Sequence, residues 1–178
     1  MIWESCYWKE PLLKSATWLV RMRLRPNSGE PLLVKLEKEL MMGFYAIRKL
    51  LDTAKITDAT KASKYSVNWF PNLHIVDYLN WDSIDRLFDL DEKNQEDRDI
   101  RFLCDRFVHS YIFIPDFEDN GKFLGVYVAT DRDRKKKLYF VTAETIVSIF
   151  RLVGRDYPSS SRFKLNPNTG EREPYDVR

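Results

Sequence analysis

A single α+β domain is the fold this sequence predicts, and three observations predict it. Leu33, Leu36, Leu40, Phe44, Ile47, Leu51 and Ala54 recur every three or four positions over about six helical turns. After His109 the pattern changes to three runs rich in β-branched and aromatic residues, YIFIP, KFLGVYVAT and KLYFVT, which read as strands. No internal repeat, linker or low-complexity tract divides the chain, so one domain over 1–178 accounts for it. The expected architecture is an N-terminal helical hairpin plus a central helix, packed with a three-stranded antiparallel meander and a C-terminal helix.

The elements follow in order. Residues 1–57 form the helical hairpin. Leu12, Leu13, Ala16, Leu19, Val20 and Met22 fit a first helix over 11–24, with Pro11 in its first turn. The RPNSG turn ends it, and the long stripe above forms the second helix from about Glu30. Residues 58–110 hold a connector and the central helix. KYSVNWFPN predicts an extended segment or an edge strand stopped by Pro71. DSIDRLFDL predicts a short helix with Ile84, Leu87 and Phe88 inward. Residues 82–99 carry eight acidic and three basic residues and read as a solvated connector. The central helix is expected over 97–109, with Ile100, Leu103, Cys104, Phe107 and Val108 on one face. Phe102, Asp105 and His109 lie on the other, and a large aromatic there calls for a second neighbour.

Residues 111–154 hold the meander and the last helix. Asn120-Gly121 marks the first hairpin turn and the charged DRDRKK the second. Thr142 is the expected cap of a helix over 143–153, Ile146, Ile149, Phe150 and Val153 its stripe, and Gly154 its stop. Residues 155–178 are polar and turn-rich, suited to a surface hairpin or a partner-wrapping arm.

Composition bounds the function classes. At 44% hydrophobic and 31% charged, the chain belongs with ordinary globular proteins rather than disordered ones. A net charge of +2 does not by itself argue for nucleic acid. Two cysteines, Cys6 and Cys104, predict free thiols in a reducing compartment rather than a disulfide framework. The start MIWESCYWKE lacks the pattern of a signal peptide, and no apolar run approaches the roughly 18 residues of a membrane helix. A cytoplasmic protein with no membrane partner is expected. Phosphate-loop, dinucleotide-binding, serine-hydrolase and zinc-ligand patterns are missing, so no cofactor and no metal site are expected.

Three features carry functional expectations. Asp105 and His109 stand one turn apart, with Arg101 and Arg106 nearby. A carboxylate beside an imidazole tunes a general acid/base, and arginines clamp phosphate. The structural alternative is a histidine capping the helix end, supported by Asp105. Arg132, Arg134, Lys135, Lys136 and Lys137 form a hairpin tip of net charge +3 with Asp131 and Asp133. Such a tip contacts nucleic-acid phosphates, or simply keeps a turn in water. Trp3, Tyr7, Trp8 and Trp18 crowd the N-terminus, as core cover or as a partner interface. His74 reads as a loop or core residue.

The helical half, ending in an arginine- and histidine-bearing helix, is similar to the HEPN superfamily of helical bacterial RNases and nucleotide-binding domains. That resemblance covers about the first 110 residues and implies a dimer with His109 as acid/base and Arg101 or Arg106 as phosphate clamp. The chain departs from the family's spacing: Arg101 precedes His109 by eight positions, Arg106 by three, and Phe102 stands where a polar residue is favoured. The phrases YAIRKLL, FLCDRFVHSYIF and VGRDYPSS resemble a group of uncharacterised bacterial proteins across most of the chain. That group is expected to carry an Asn-Gln pair where Asp105-Arg106 stand here, which favours His109 and Ser110 over the charged pair as site residues. The company such proteins keep points to a mobile-element or defence locus. Two functions are therefore expected in order: a non-enzymatic interaction or regulatory module with a protein partner or a second copy, acting through aromatic surface and the C-terminal arm, then a metal-independent RNase or nucleotide-binding domain using His109.

Overall fold

The computed structural model describes residues 2–178. Helix α1 spans Cys6–Arg21 and α2 spans Gly29–Leu51. A single turn, α3 (Asp58–Lys61), leads into β1 (Lys64–Pro71). A long loop and the one-turn helix α4 (Ile84–Leu87) precede β2 (Asn94–Asp99), which runs directly into α5 (Ile100–Val108). The remainder is β3 (Ser110–Phe117), β4 (Phe123–Thr130), β5 (Lys137–Thr142), α6 (Ala143–Arg155) and a hairpin of β6 (Ser161–Leu165) and β7 (Arg172–Val177). The fold is α+β. No helix among the described residues is long and apolar enough to cross a membrane.

The meander is part of a five-stranded antiparallel sheet, ordered β2-β1-β5-β4-β3. This corrects two expectations. β1 is an internal strand, paired on both sides, and the acidic stretch after it is no connector, because its second half is the edge strand β2. β2 (NQEDRD) has no apolar alternation to betray it. Its inward Glu96 accepts hydrogen bonds from Lys137 Nζ (2.8 Å), Tyr139 Oη (2.8 Å) and Arg98 Nε (2.9 Å). Burial opposes ionisation of Glu96, yet these three donors outweigh it and hold its carboxyl down to about 2. A charged edge also resists pairing with other sheets.

Helices cover one face of the sheet. α1 lies along α6 and α2 along α5, while α1 and α2 also touch as the expected hairpin. α5 starts at Ile100, three residues later than expected, because Asp99 accepts the N–H of Phe102 (2.7 Å) and caps it. Its buried stripe is Ile100, Leu103, Cys104 and Phe107, and Phe107 stacks on Phe44 of α2 at 3.9 Å between ring centroids. Phe102 finds its second neighbour within the chain, edge-on to Tyr139 at 5.3 Å. α1 begins five residues before Pro11, which therefore lies inside the helix rather than in its first turn. Thr142 caps α6 through the N–H of Thr145 (3.1 Å). Gly154 does not end that helix. It is buried within it, where a Cβ would collide with Leu13 and the Lys9 carbonyl, so it permits close approach of α1. The end is secured elsewhere: buried Lys9 donates to the carbonyls of Asp156 and Lys55, and burial pushes its ammonium below the ordinary value.

The other face of the sheet holds a smaller core of Phe70, Ile112, Ala129 and Leu138. Residues 72–90 fold over it and contribute Val76, Leu87 and Phe88. The C-terminal residues form the surface hairpin, anchored by Val177, whose N–H donates to Asp58 Oδ2 (3.0 Å). Trp8 and Trp18 pack on the main core, while Trp3 and Tyr7 stand in solvent.

Candidate functional site

His109 is the C-cap of α5, its N–H donating to the Asp105 carbonyl (3.1 Å). Its ring is exposed on a groove of about 540 Å³ lined by Arg48, Asp105, Arg106, Thr130, Asp131, Arg132 and Asp133. Three arginines thus surround the histidine, but they are matched in number by three aspartates. Arg48 Nε lies 3.0 Å from Asp105 Oδ1, and its Nη1 lies 2.9 Å from Asp52 Oδ2. Arg106 Nε lies 2.7 Å from Asp133 Oδ2, with its guanidinium 3.6 Å above the Phe102 ring. Asp133 in turn accepts Thr130 Oγ1 (2.8 Å).

Two expectations about this cluster change. The Asp105 carboxylate is engaged by Arg48 from α2 rather than by the His109 ring. Among the described residues no hydrogen bond or ion pair reaches that ring. Arg101 is not in the groove. Eight residues of helix carry it about 12 Å along the axis from His109, and there it binds Asp52 (2.7 Å). Among the described residues no cluster of three or more His, Cys, Asp or Glu is placed to hold a metal ion.

The basic tip divides into two groups. Arg134 is committed to the chain: it pairs with Asp131 (2.8 Å), lies 4.0 Å over Tyr111 and donates to the Val76 carbonyl. Lys137 pairs with Glu96 (2.8 Å) and covers Trp69 (3.9 Å). Arg132, Lys135 and Lys136 are exposed, and among the described residues none of them makes an ion pair. The tip is therefore three free cations on a turn pinned from beneath, not five.

A third surface lies beside it, in residues 73–81, which sequence reading passed over apart from His74. Val76 is buried there, but Ile75 and Tyr78 are each 85% exposed and Leu79 is 94% exposed, with Leu73 and Trp81 also in solvent. The loop is nonetheless held in shape. Asn80 Oδ1 accepts the N–H of Asp77 (2.8 Å), Asp77 Oδ1 accepts the N–H of Leu79 (2.8 Å), and Asn80 Nδ2 donates to the Ile75 carbonyl (3.0 Å). Tyr78 packs edge-on against Tyr111 at 5.7 Å. The signal was present in PNLHIVDYLNW: six apolar side chains at a spacing that fits neither strand nor helix, and so cannot all face one core. No protein-family model, curated protein or solved structure matches this chain.

Proposed function

We infer that this chain is a non-enzymatic interaction module that engages a protein through residues 73–81. One observation carries the reading. Ile75, Tyr78 and Leu79 stand almost fully in water on a loop whose backbone is tied down by its own Asp and Asn side chains. Exposed apolar groups gathered on one ordered segment mark an interaction site. Order achieved before binding also lowers the entropy lost on association, so the anchors give more affinity. The test is a photo-crosslinking amino acid in place of Tyr78, with the same group at exposed Met42 of α2 as control. A protein adduct from position 78 and not from 42 is expected. No adduct, or equal adducts from both positions, would sink the reading.

The HEPN-like reading keeps one specific observation in its favour: His109 is exposed on a groove that also holds Arg48, Arg106 and Arg132. Pairing with aspartates counts against it, since a phosphate would have to displace Asp105 or Asp133 to reach Arg48 or Arg106. Purified wild type and folded His109→Ala, incubated with RNA in EDTA, decide the matter. The module reading expects no cleavage by either, and cleavage lost on removal of His109 would establish the RNase instead.

A further inference from the structure

Beyond the interaction reading, and independent of it, we propose that the uncovered half of the second sheet face binds a nucleobase, adenine in particular. Residues 72–90 close that face only over Phe70, Ile112, Ala129 and Leu138. The next row across the sheet follows from the strand register. It runs Ile114, Tyr127, Phe140, Asn68 and Gln95, on β3, β4, β5, β1 and β2. β5 is the middle strand of five, yet Phe140 on it is only half-buried, and so is Tyr127 beside it. Their ring centroids are 4.6 Å apart, with the planes tilted by 44°. Phe140 leans over Gly125, where a Cβ would come within 2.8 Å of its Cζ, so the glycine makes room for the ring along the sheet. Both rings line a cavity of about 410 Å³ that also takes in Asn68, Phe70 and Leu90.

The polar end of the row identifies the ligand. Asn68 stands directly opposite Phe140 on the neighbouring strand, and Gln95 extends the row beyond it. Among the described residues neither side-chain amide makes a hydrogen bond, so Asn68 keeps a donor and an acceptor at the edge of the aromatic pair. An aromatic ring takes up any base by stacking. An amide beside the stack is more selective, because its oxygen accepts from adenine N6 while its N–H donates to N7. Charge points the same way. Lys93 and Lys122 line the cavity against Asp116 and Glu144, so its formal charge is zero, and Lys122 is already paired with Glu118 (2.9 Å). An uncharged ring fits such a cavity better than a chain of phosphates does. A free nucleoside and a base in a single strand both carry the ring, and the absence of spare positive charge favours the free nucleoside.

Calorimetric titration of the full chain with adenosine tests this. Saturable one-to-one binding is expected, and purine riboside, which lacks N6, is expected to bind about tenfold more weakly. Phe140→Leu keeps an apolar side chain without a ring, and Asn68→Val keeps a branched one without an amide. Each, once circular dichroism shows it folded, is expected to bind adenosine about tenfold more weakly. Asn68→Val is also expected to bind the two nucleosides equally. An oligoadenylate held about tenfold or more tightly than adenosine, and released by Phe140→Leu, supports the same site and shows that the base arrives in a strand. Wild type that binds neither adenosine nor the oligoadenylate overturns the proposal. So does adenosine binding that Phe140→Leu leaves unchanged, or a preference for adenosine over purine riboside that survives Asn68→Val.

Discussion

The groove at His109 and the loop at 73–81 are both exposed, and they differ in what the chain has already done with their side chains. In the groove, Arg48 and Arg106 meet carboxylates at 3.0 Å or less, and Arg106 also lies against Phe102. At the loop, Ile75 and Leu79 stand in solvent, and Tyr78 stays 85% exposed even though it meets the Tyr111 ring. Among the described residues Arg132 is the one groove arginine without an ion pair, so most of this cluster of catalytic residue types is accounted for by pairs within the fold. A surface left unsatisfied at a cost in hydration is the better guide to function.

That contrast can be broken by stability measurements. The largest effect is expected at the groove. Arg106→Ala leaves Asp133 without its cation and Phe102 without its cover, at a cost of about 2–3 kcal/mol read from the urea midpoint. A neutral result there would mean that the Arg106 pair is held for something other than the fold.

A smaller and pH-dependent effect is expected at the edge strand. Glu96 has a folded-state pKa depressed from 4.5 to about 2, so its contribution is present above the unfolded value and is lost as pH falls through the folded one. Glu96→Gln should cost about 1–2 kcal/mol at neutral pH, and the gap to wild type should narrow between about pH 4.5 and about pH 2. A gap that does not change with pH would remove the ion-pair explanation of β2.

The smallest effect sharpens the contrast most. Ile75→Asp with Leu79→Asp should shift the stability of the monomer by no more than about 0.5 kcal/mol, because neither side chain is buried. A large loss would mean that the loop is structural, and the functional reading of its exposure would go with it.

Much of the fold was legible because it rests on local pattern. The 3.6-residue stripe of α2 placed Leu36, Leu40, Phe44 and Ile47 in the core, and Thr142 marked the start of α6. Asn120-Gly121 marked the turn between β3 and β4, where Gly121 adopts a positive φ of 78°. β2 was not legible, since its six polar residues carry no period and its inward Glu96 is held by Lys137 and Tyr139 from another strand. Gly154 was misread for a related reason. A glycine near a helix end signals a stop, but here the close approach of Leu13 on α1 requires it.

The candidate site was legible only as a set of residue types. The sequence by itself determined that His109 ends a helix whose apolar face is Ile100, Leu103, Cys104 and Phe107, because those relations are set by helical geometry within one segment. Only the tertiary structure decided that Asp105 belongs to Arg48, Arg106 to Asp133 and Arg101 to Asp52, pairs separated by 57, 27 and 49 positions. It also decided that Val76 turns inward while Ile75, Tyr78 and Leu79 face water. The physical reason is the same throughout. Periodicity records which side chains share a face, whereas the neutralisation of a charge or the covering of an apolar group depends on what the rest of the chain brings to that face.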